Sequence, residues 1–258
     1  MLKQNLWQTW LSYLHPQYTA CMTCHTKAPL MKRYPQICEK CALGIPWITH
    51  LQCKVCGRGE YCPDCQRKSA SQRYFMFNRS AVYYNDAMRQ WIADYKYRGQ
   101  ERYAPLLGKM MIEAYQLMKQ EMIQFYQKRW NIDIVTAVPV SSTRLIQRGF
   151  DQAAVLAEYV ATYEHLPYIP LLIRQRDTVK QSSQGRQARL LNMKEVFSYA
   201  PHTPQWLATY QSSTLNILLV DDIYTTGSTI NNCAKALIEA GKLYQIDIQV
   251  FSLTWARS

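Results

Sequence analysis

The stretch Ile217-Leu218-Leu219-Val220-Asp221-Asp222-Ile223-Tyr224-Thr225-Thr226-Gly227-Ser228-Thr229 changes character twice. Its first four residues are a continuous apolar run, the pattern of a strand buried on both faces. Two adjacent carboxylates follow, and a turn of hydroxyl residues and glycine leads into a helical pattern that starts near Thr229. Backbone N–H groups at a helix N-terminus attract anions, and Gly227 lets the backbone approach one closely. Asp221 and Asp222 only accept hydrogen bonds when ionised, which suits the vicinal 2- and 3-hydroxyls of a ribose. Strand, acidic pair, hydroxyl turn and helix, in that order, predict a ribose 5-phosphate site in which Thr225, Thr226, Gly227, Ser228 and Thr229 enclose the phosphate. Capping of the helix by the paired aspartates is the simpler use of the same residues.

The surroundings repeat this texture. Ile132 to Val138 reads as a second short strand, ended by Pro139 and followed by a Ser/Thr turn and a helical pattern, and Ile246 to Leu253 reads as a closing strand. Arg73 to Phe77 and Ala81 to Tyr84 read as two strands, possible partners in a hairpin. Asp86 to Tyr95 forms a helix with Met88, Trp91, Ile92 and Tyr95 on one face, and Leu106 to Phe125 a longer helix whose Met-rich stripe fits a core. Strands alternating with long helices imply an α/β fold with a parallel sheet flanked by helices. Tyr199 to Ser213 reads as a loop, and the lone Cys233 as a core residue.

A different texture precedes this domain. Eight of the nine cysteines lie in four C-x-x-C knuckles: Cys21/Cys24, Cys38/Cys41, Cys53/Cys56 and Cys62/Cys65. Two knuckles complete a tetrahedral all-thiolate site, closed to water and therefore structural, for zinc. Sequential pairing closes the shorter loops, with a cross-braced pairing as the alternative. Gly57 and Gly59 allow a tight turn, and Trp47 and Tyr61 are candidates for a minimal core. The expected division is an amphipathic helix over 1–16, a zinc-binding module over 17–70 and the α/β domain over 71–258.

Composition narrows the class. Of 258 residues, 48% are hydrophobic and 19% charged, too apolar for a disordered chain, and the mean hydropathy of −0.31 opposes an integral membrane protein. Polar residues interrupt the apolar positions Leu2, Leu6, Trp7, Trp10, Leu11 and Leu14, so a signal peptide is not expected. The expected location is the cytoplasm, where disulfides are disfavoured. The formal charge is +12, which attracts polyanions such as nucleic acid or phosphorylated ligands. Two all-thiolate zinc sites, each adding four thiolates and one dication, lower that charge to +8. Cations interleave with aromatics around Arg73, around Arg79, and at Tyr95-Lys96-Tyr97-Arg98, where Lys96 and Arg98 are the better nucleic-acid candidates and core packing is the other use of the rings.

The 217–229 run resembles the phosphoribosyl pyrophosphate-binding signature of type I phosphoribosyltransferases, with Tyr224 in place of an aliphatic residue. Further segments are Val138-Pro139-Val140-Ser141-Ser142-Thr143-Arg144, Arg148-Gly149-Phe150-Asp151-Gln152, and Arg189-x-x-Asn192 before Val196-Phe197. With the knuckles in front, the whole chain resembles the ComF family, the ComFC-type late competence proteins. Asp151 departs from the asparagine usual there, and Ser183 to Gln187 departs from the expected leucine and acidic residue. The resemblance implies a type I phosphoribosyltransferase-like domain behind a zinc module, acting in natural transformation on incoming single-stranded DNA beside a helicase of the ComFA type. It implies that Ser141 to Arg144 lie near the pyrophosphate of the ligand. Arg144, Arg148, Arg186 and Arg189, with magnesium as a possible helper, are candidates for the diphosphate. Arg186 and Arg189 join Lys96 and Arg98 as DNA-binding candidates. An active phosphoribosyltransferase acting on a nitrogen nucleophile is the alternative function; no residue is assigned as catalytic.

Overall fold

The computed structural model describes residues 20–62, 65, 73–97, 101–126, 130–175 and 196–258. The expected N-terminal helix over 1–16, Arg98, Arg186 and Arg189 lie outside the described residues. The chain forms two compact units, Met1–Pro46 and Trp47–Ser258. No helix of the described residues is long and apolar enough to cross a membrane.

In the first unit two antiparallel bridges, Ala20 with Lys27 and Leu30 with Cys38, precede one short helix, α1 (Glu39–Leu43). Tyr34, Ile37 and Ile45 supply its buried apolar groups. The sequence pointed to Trp47 and Tyr61 for such a core. Both belong to the second unit, where Tyr61 is 65% exposed and Trp47 bridges Val82.

Among the described residues the second unit is built on four parallel strands. Its elements run β1 (Phe77–Tyr83), α2 (Asp86–Tyr97), a 3-10 turn (Glu101–Tyr103), α3 (Ala104–Tyr126), β2 (Ile134–Ala137), α4 (Ser142–Arg148) and α5 (Gln152–Glu164). Then come β3 (Leu172–Arg174), β4 (Phe197–Tyr199), α6 (Thr203–Thr209), β5 (Thr214–Tyr224), α7 (Ser228–Leu243) and β6 (Asp247–Arg257). The sheet order is β1-β6-β5-β2, with β3 and β4 forming a separate antiparallel pair. Leu215, Ile217 and Leu219 on one face of β5 pack with Ile230, Cys233 and Leu237 of α7. Leu218 and Val220 on the alternate face are fully buried too, so the strand is covered on both sides and reads as a continuous apolar run. Met110, Met111, Met118 and Met122 of α3 are core residues, as their spacing predicts.

Two expectations change. The strands expected at 73–77 and 81–84 are one strand, β1, paired in parallel with β6 rather than folded as a hairpin. The polar run Asn78-Arg79-Ser80 looks like a turn but is buried, and all its side-chain polar groups but Arg79 Nε are hydrogen-bonded. Ser80 Oγ lies 2.7 Å from Thr254 Oγ1, and Ser252 Oγ donates to Asn78 Oδ1 at 2.8 Å. Arg79 donates to the carbonyls of Ser80 and Ile48, each at 2.6 Å, and its Nε lies 3.0 Å from Glu121 Oε2. The loop expected over Tyr199–Ser213 contains α6, because Pro204 in the first turn is preset for a helix and Leu207 has a core to enter.

The outer strand β1 has its own cover. Ile48 N–H donates to the Ala81 carbonyl at 3.0 Å, Asn78 N–H donates to the Val55 carbonyl at 2.8 Å, and Trp47 bridges Val82.

Candidate functional site

The end of β5 and the start of α7 present the acidic pair and the turn. Asp221 and Asp222 are half-buried, and the Asp222 N–H donates to Asp221 Oδ1 at 2.8 Å. Gly227 caps α7 with φ +76°, in the left-handed region, and a β-carbon there would lie 2.2 Å from the Tyr224 hydroxyl oxygen. Glycine is therefore required twice, by conformation and by close approach. Tyr224, the residue that departs from an aliphatic pattern, is buried, with its ring edge-on to Phe75 at 6.4 Å. Thr225, Thr226 and Ser228 are exposed around the first turn of the helix, and Thr226 Oγ1 lies 3.0 Å from Ser228 Oγ.

A cavity of about 180 Å³ opens at the carboxyl ends of β2 and β5, where open parallel sheets bind ligands. Asp221, Asp222 and Thr229 line one side; Arg144, Arg148, Asp151, Lys96 and Arg174 line the rest. Thr225 to Ser228 do not line it; they line a second cavity of about 220 Å³. Ser141 is buried and caps α4, its hydroxyl accepting from Arg144 N–H at 3.4 Å. This cap starts the helix that carries Arg144 and Arg148. Arg148 Nη1 donates to Gln152 Oε1 at 2.7 Å, and Gly149 with φ +82° ends the helix.

Three residues in the cavity were not assigned to it from the sequence. Asp151 caps α5, accepting from Ala154 N–H and Val140 N–H at 3.1 Å each, so it ties the turn after β2 to the helix behind it. Burial pushes its carboxyl above the usual range. The Gly149-Phe150-Asp151 stop-and-start signal was visible in the sequence. Lys96, named there for nucleic acid, is ion-paired with Asp222 Oδ2. Arg174 comes from β3, and only the tertiary fold brings it here. Burial, reinforced by Asp222 and Asp151 and opposed by Lys96, pushes the Asp221 carboxyl up from 3.8 to about 8.

The eight knuckle cysteines form two groups, Cys21/Cys24/Cys38/Cys41 and Cys53/Cys56/Cys62/Cys65, with the ligand atoms of each within 4.8 Å of one another. The grouping is sequential. Sulfur separations of 3.7 Å (Cys21 to Cys41), 3.8 Å (Cys24 to Cys38) and 3.4 Å (Cys56 to Cys62) approach the tetrahedral edge of about 3.8 Å set by zinc–sulfur bonds near 2.3 Å. The Cys38 N–H points to Cys21 Sγ at 3.3 Å, a donor that would steady a thiolate ligand. Each group could hold one metal ion. Gly57, with φ +66°, sits where a β-carbon would meet the Asn78 carbonyl oxygen at 2.2 Å, pressing the second group against β1.

A parallel α/β sheet with an acidic pair on β5, a glycine-capped helix after it and a cationic turn after β2 defines a domain of the phosphoribosyltransferase-like class. No family model matches the chain. Competence protein ComFC of Streptococcus pneumoniae R6 is 30% identical over 220 residues, covering 84% of this chain and 86% of the relative. Competence protein ComFC of Bacillus subtilis 168 is 29% identical over 222 residues, covering 83% and 82%. Competence protein F of Haemophilus influenzae is 23% identical over 222 residues, covering 85% and 89%. The chain belongs to the ComFC family of competence proteins. Solved structures similar to it include an adenine phosphoribosyltransferase, at 16% identity over 58% of this chain and 71% of that one, with a TM-score of 0.32. Another is the B. subtilis glutamine phosphoribosylpyrophosphate amidotransferase complexed with ADP and GMP, at 17% identity over 68% and 31%, with a TM-score of 0.33.

Proposed function

We propose that the chain binds phosphoribosyl pyrophosphate with its ribose and diphosphate in the cavity at the ends of β2 and β5 and its 5-phosphate at the neighbouring cavity that Thr225 to Ser228 line. We further propose that it serves natural transformation in the cytoplasm, handling incoming single-stranded DNA beside a helicase of the ComFA type. The observation that carries the reading is the convergence of Asp221, Asp222, Arg144 and Arg148 on one cavity. The carboxylates take the ribose hydroxyls, and the amides from Thr225 to Thr229 take the 5-phosphate. The guanidiniums take the diphosphate, with magnesium sharing its charge. Lys96 belongs to this cavity through Asp222, which leaves Arg98, Arg186 and Arg189 as the proposed contacts to DNA phosphates.

Calorimetric titration with phosphoribosyl pyrophosphate, with and without magnesium, is the test: saturable binding is expected, and none at millimolar ligand overturns the reading. Affinity for single-stranded DNA is expected to fall linearly on logarithmic axes as salt rises, and a flat response would remove the electrostatic contact. Pyrophosphate release that depends on an added nitrogen nucleophile would add transfer activity to the binding role.

The two cysteine groups are proposed to hold zinc, whose preference for four thiolates matches the donor set. Elemental analysis is expected to give two zinc ions per chain. One or none would contradict two structural sites.

A further inference from the structure

The second cysteine group and the phosphate loop border the same cavity of about 220 Å³, together with Arg73, Phe75, Tyr224 and Arg257. A continuous set of contacts joins them. The Cys56 carbonyl accepts from Arg257 Nη1 at 2.6 Å and from Asn78 Nδ2 at 3.2 Å. Arg257, at the end of β6, is only 4% exposed, and its guanidinium lies 4.6 Å from the centre of the Tyr224 ring. The Tyr224 hydroxyl rests against Gly227, at the cap of α7.

Electrostatics gives this arrangement a direction. Among the described residues no carboxylate pairs with Arg257, and a buried guanidinium without a counter-charge is costly. Four thiolates around a dication carry a net charge of −2, placed beside the Cys56 carbonyl that holds Arg257. Loss of metal therefore unties the Cys56 backbone, and with it the carbonyl that holds Arg257 under Tyr224.

We propose that the metal held by Cys53, Cys56, Cys62 and Cys65 is part of the phosphate site. It fixes Arg257, and Arg257 through Tyr224 holds the backbone from Thr225 to Ser228 in its ligand-binding shape. Arg257 and Tyr224 are thus positioning residues, and affinity for a phosphoribosyl ligand depends on the second metal. This inference rests on the reading that the loop takes the 5-phosphate.

The test uses the full chain loaded with cobalt(II), whose visible bands report the geometry of a thiolate site. Adding phosphoribosyl pyrophosphate is expected to shift those bands. Arg257→Gln is expected to keep two metals per chain yet bind the ligand at least tenfold more weakly, with the spectral shift lost. Arg257→Lys, which keeps the charge, is expected to retain most of the affinity. Native chain that binds the ligand with unchanged cobalt bands overturns the coupling, as does Arg257→Gln with native affinity. If Arg257→Gln does not fold, the cobalt titration of the native chain decides alone. Absence of ligand binding by the native chain overturns the phosphate-site reading, and this inference with it.

Discussion

Replacing Asp221 and Asp222 together by alanine is expected to weaken binding of phosphoribosyl pyrophosphate on the order of a hundredfold. A hydrogen bond from a ribose hydroxyl to an ionised Asp222 contributes about 1.5–3 kcal/mol and one to a protonated Asp221 about 0.5–1.5 kcal/mol, together close to the roughly 2.7 kcal/mol that corresponds to a hundredfold. The fold should survive, because β5 keeps its apolar core on both sides of the pair. Asp221 also carries a cost in the free protein. Its carboxyl, with a folded value of about 8 against 3.8 unfolded, holds a proton that the unfolded chain has released. The stability associated with that proton is complete below about 4 and is lost as pH rises to about 8. Asp221→Asn is therefore expected to raise the Tm at pH 8 relative to the native chain, to change it little at pH 4, and to lose ligand affinity at both. Calorimetric titration and thermal melts at the two pH values check this. Native affinity in the double variant would remove the pair from the site.

Glu121→Ala is expected to destabilise the second unit by about 3–5 kcal/mol, the usual result of leaving one partner of a buried ion pair alone. Arg79 is fully buried and spends two donors on the carbonyls of Ile48 and Ser80, and among the described residues Glu121, 3.0 Å from its Nε, is the carboxylate that answers its charge. At roughly 2–4 °C per kcal/mol for a domain of this size, the Tm falls by about 10 °C. Replacing both partners, Arg79→Met with Glu121→Leu, is expected to recover much of the loss, because no charge then remains buried. Urea unfolding of the two variants measures the difference. A loss below about 1 kcal/mol in Glu121→Ala would show that water reaches the guanidinium.

The sequence was most informative where one physical requirement dominated. The run from Ile217 to Thr229 could be read because burial on both faces forces a continuous apolar strand and a left-handed cap forces Gly227. The cysteine knuckles could be read because two sulfurs must converge on one ion at short spacing. Reading failed where polar residues are buried. Asn78, Arg79 and Ser80 match a turn in composition, and only partners from Ile48, Cys56, Glu121, Ser252 and Thr254 turn them into a strand interior. Arg174 and Arg257 could not be placed either, since no local pattern says which remote cavity a cation on a strand will face. Lys96 was visible as a cation among aromatics, but its carboxylate partner lies more than a hundred residues away in sequence.

The segment from Trp47 to Val55 that hydrogen-bonds to Asn78, Ala81 and Val82 has a further consequence. The outermost strand of an open sheet offers unpaired amides and carbonyls to any chain that meets it, and cells pay for such edges in aggregates. Here the cover is anchored by the second cysteine group. If that group holds zinc as proposed, metal starvation would uncap a sticky border, and the molecules should be lost to precipitation before they are lost to inactivity.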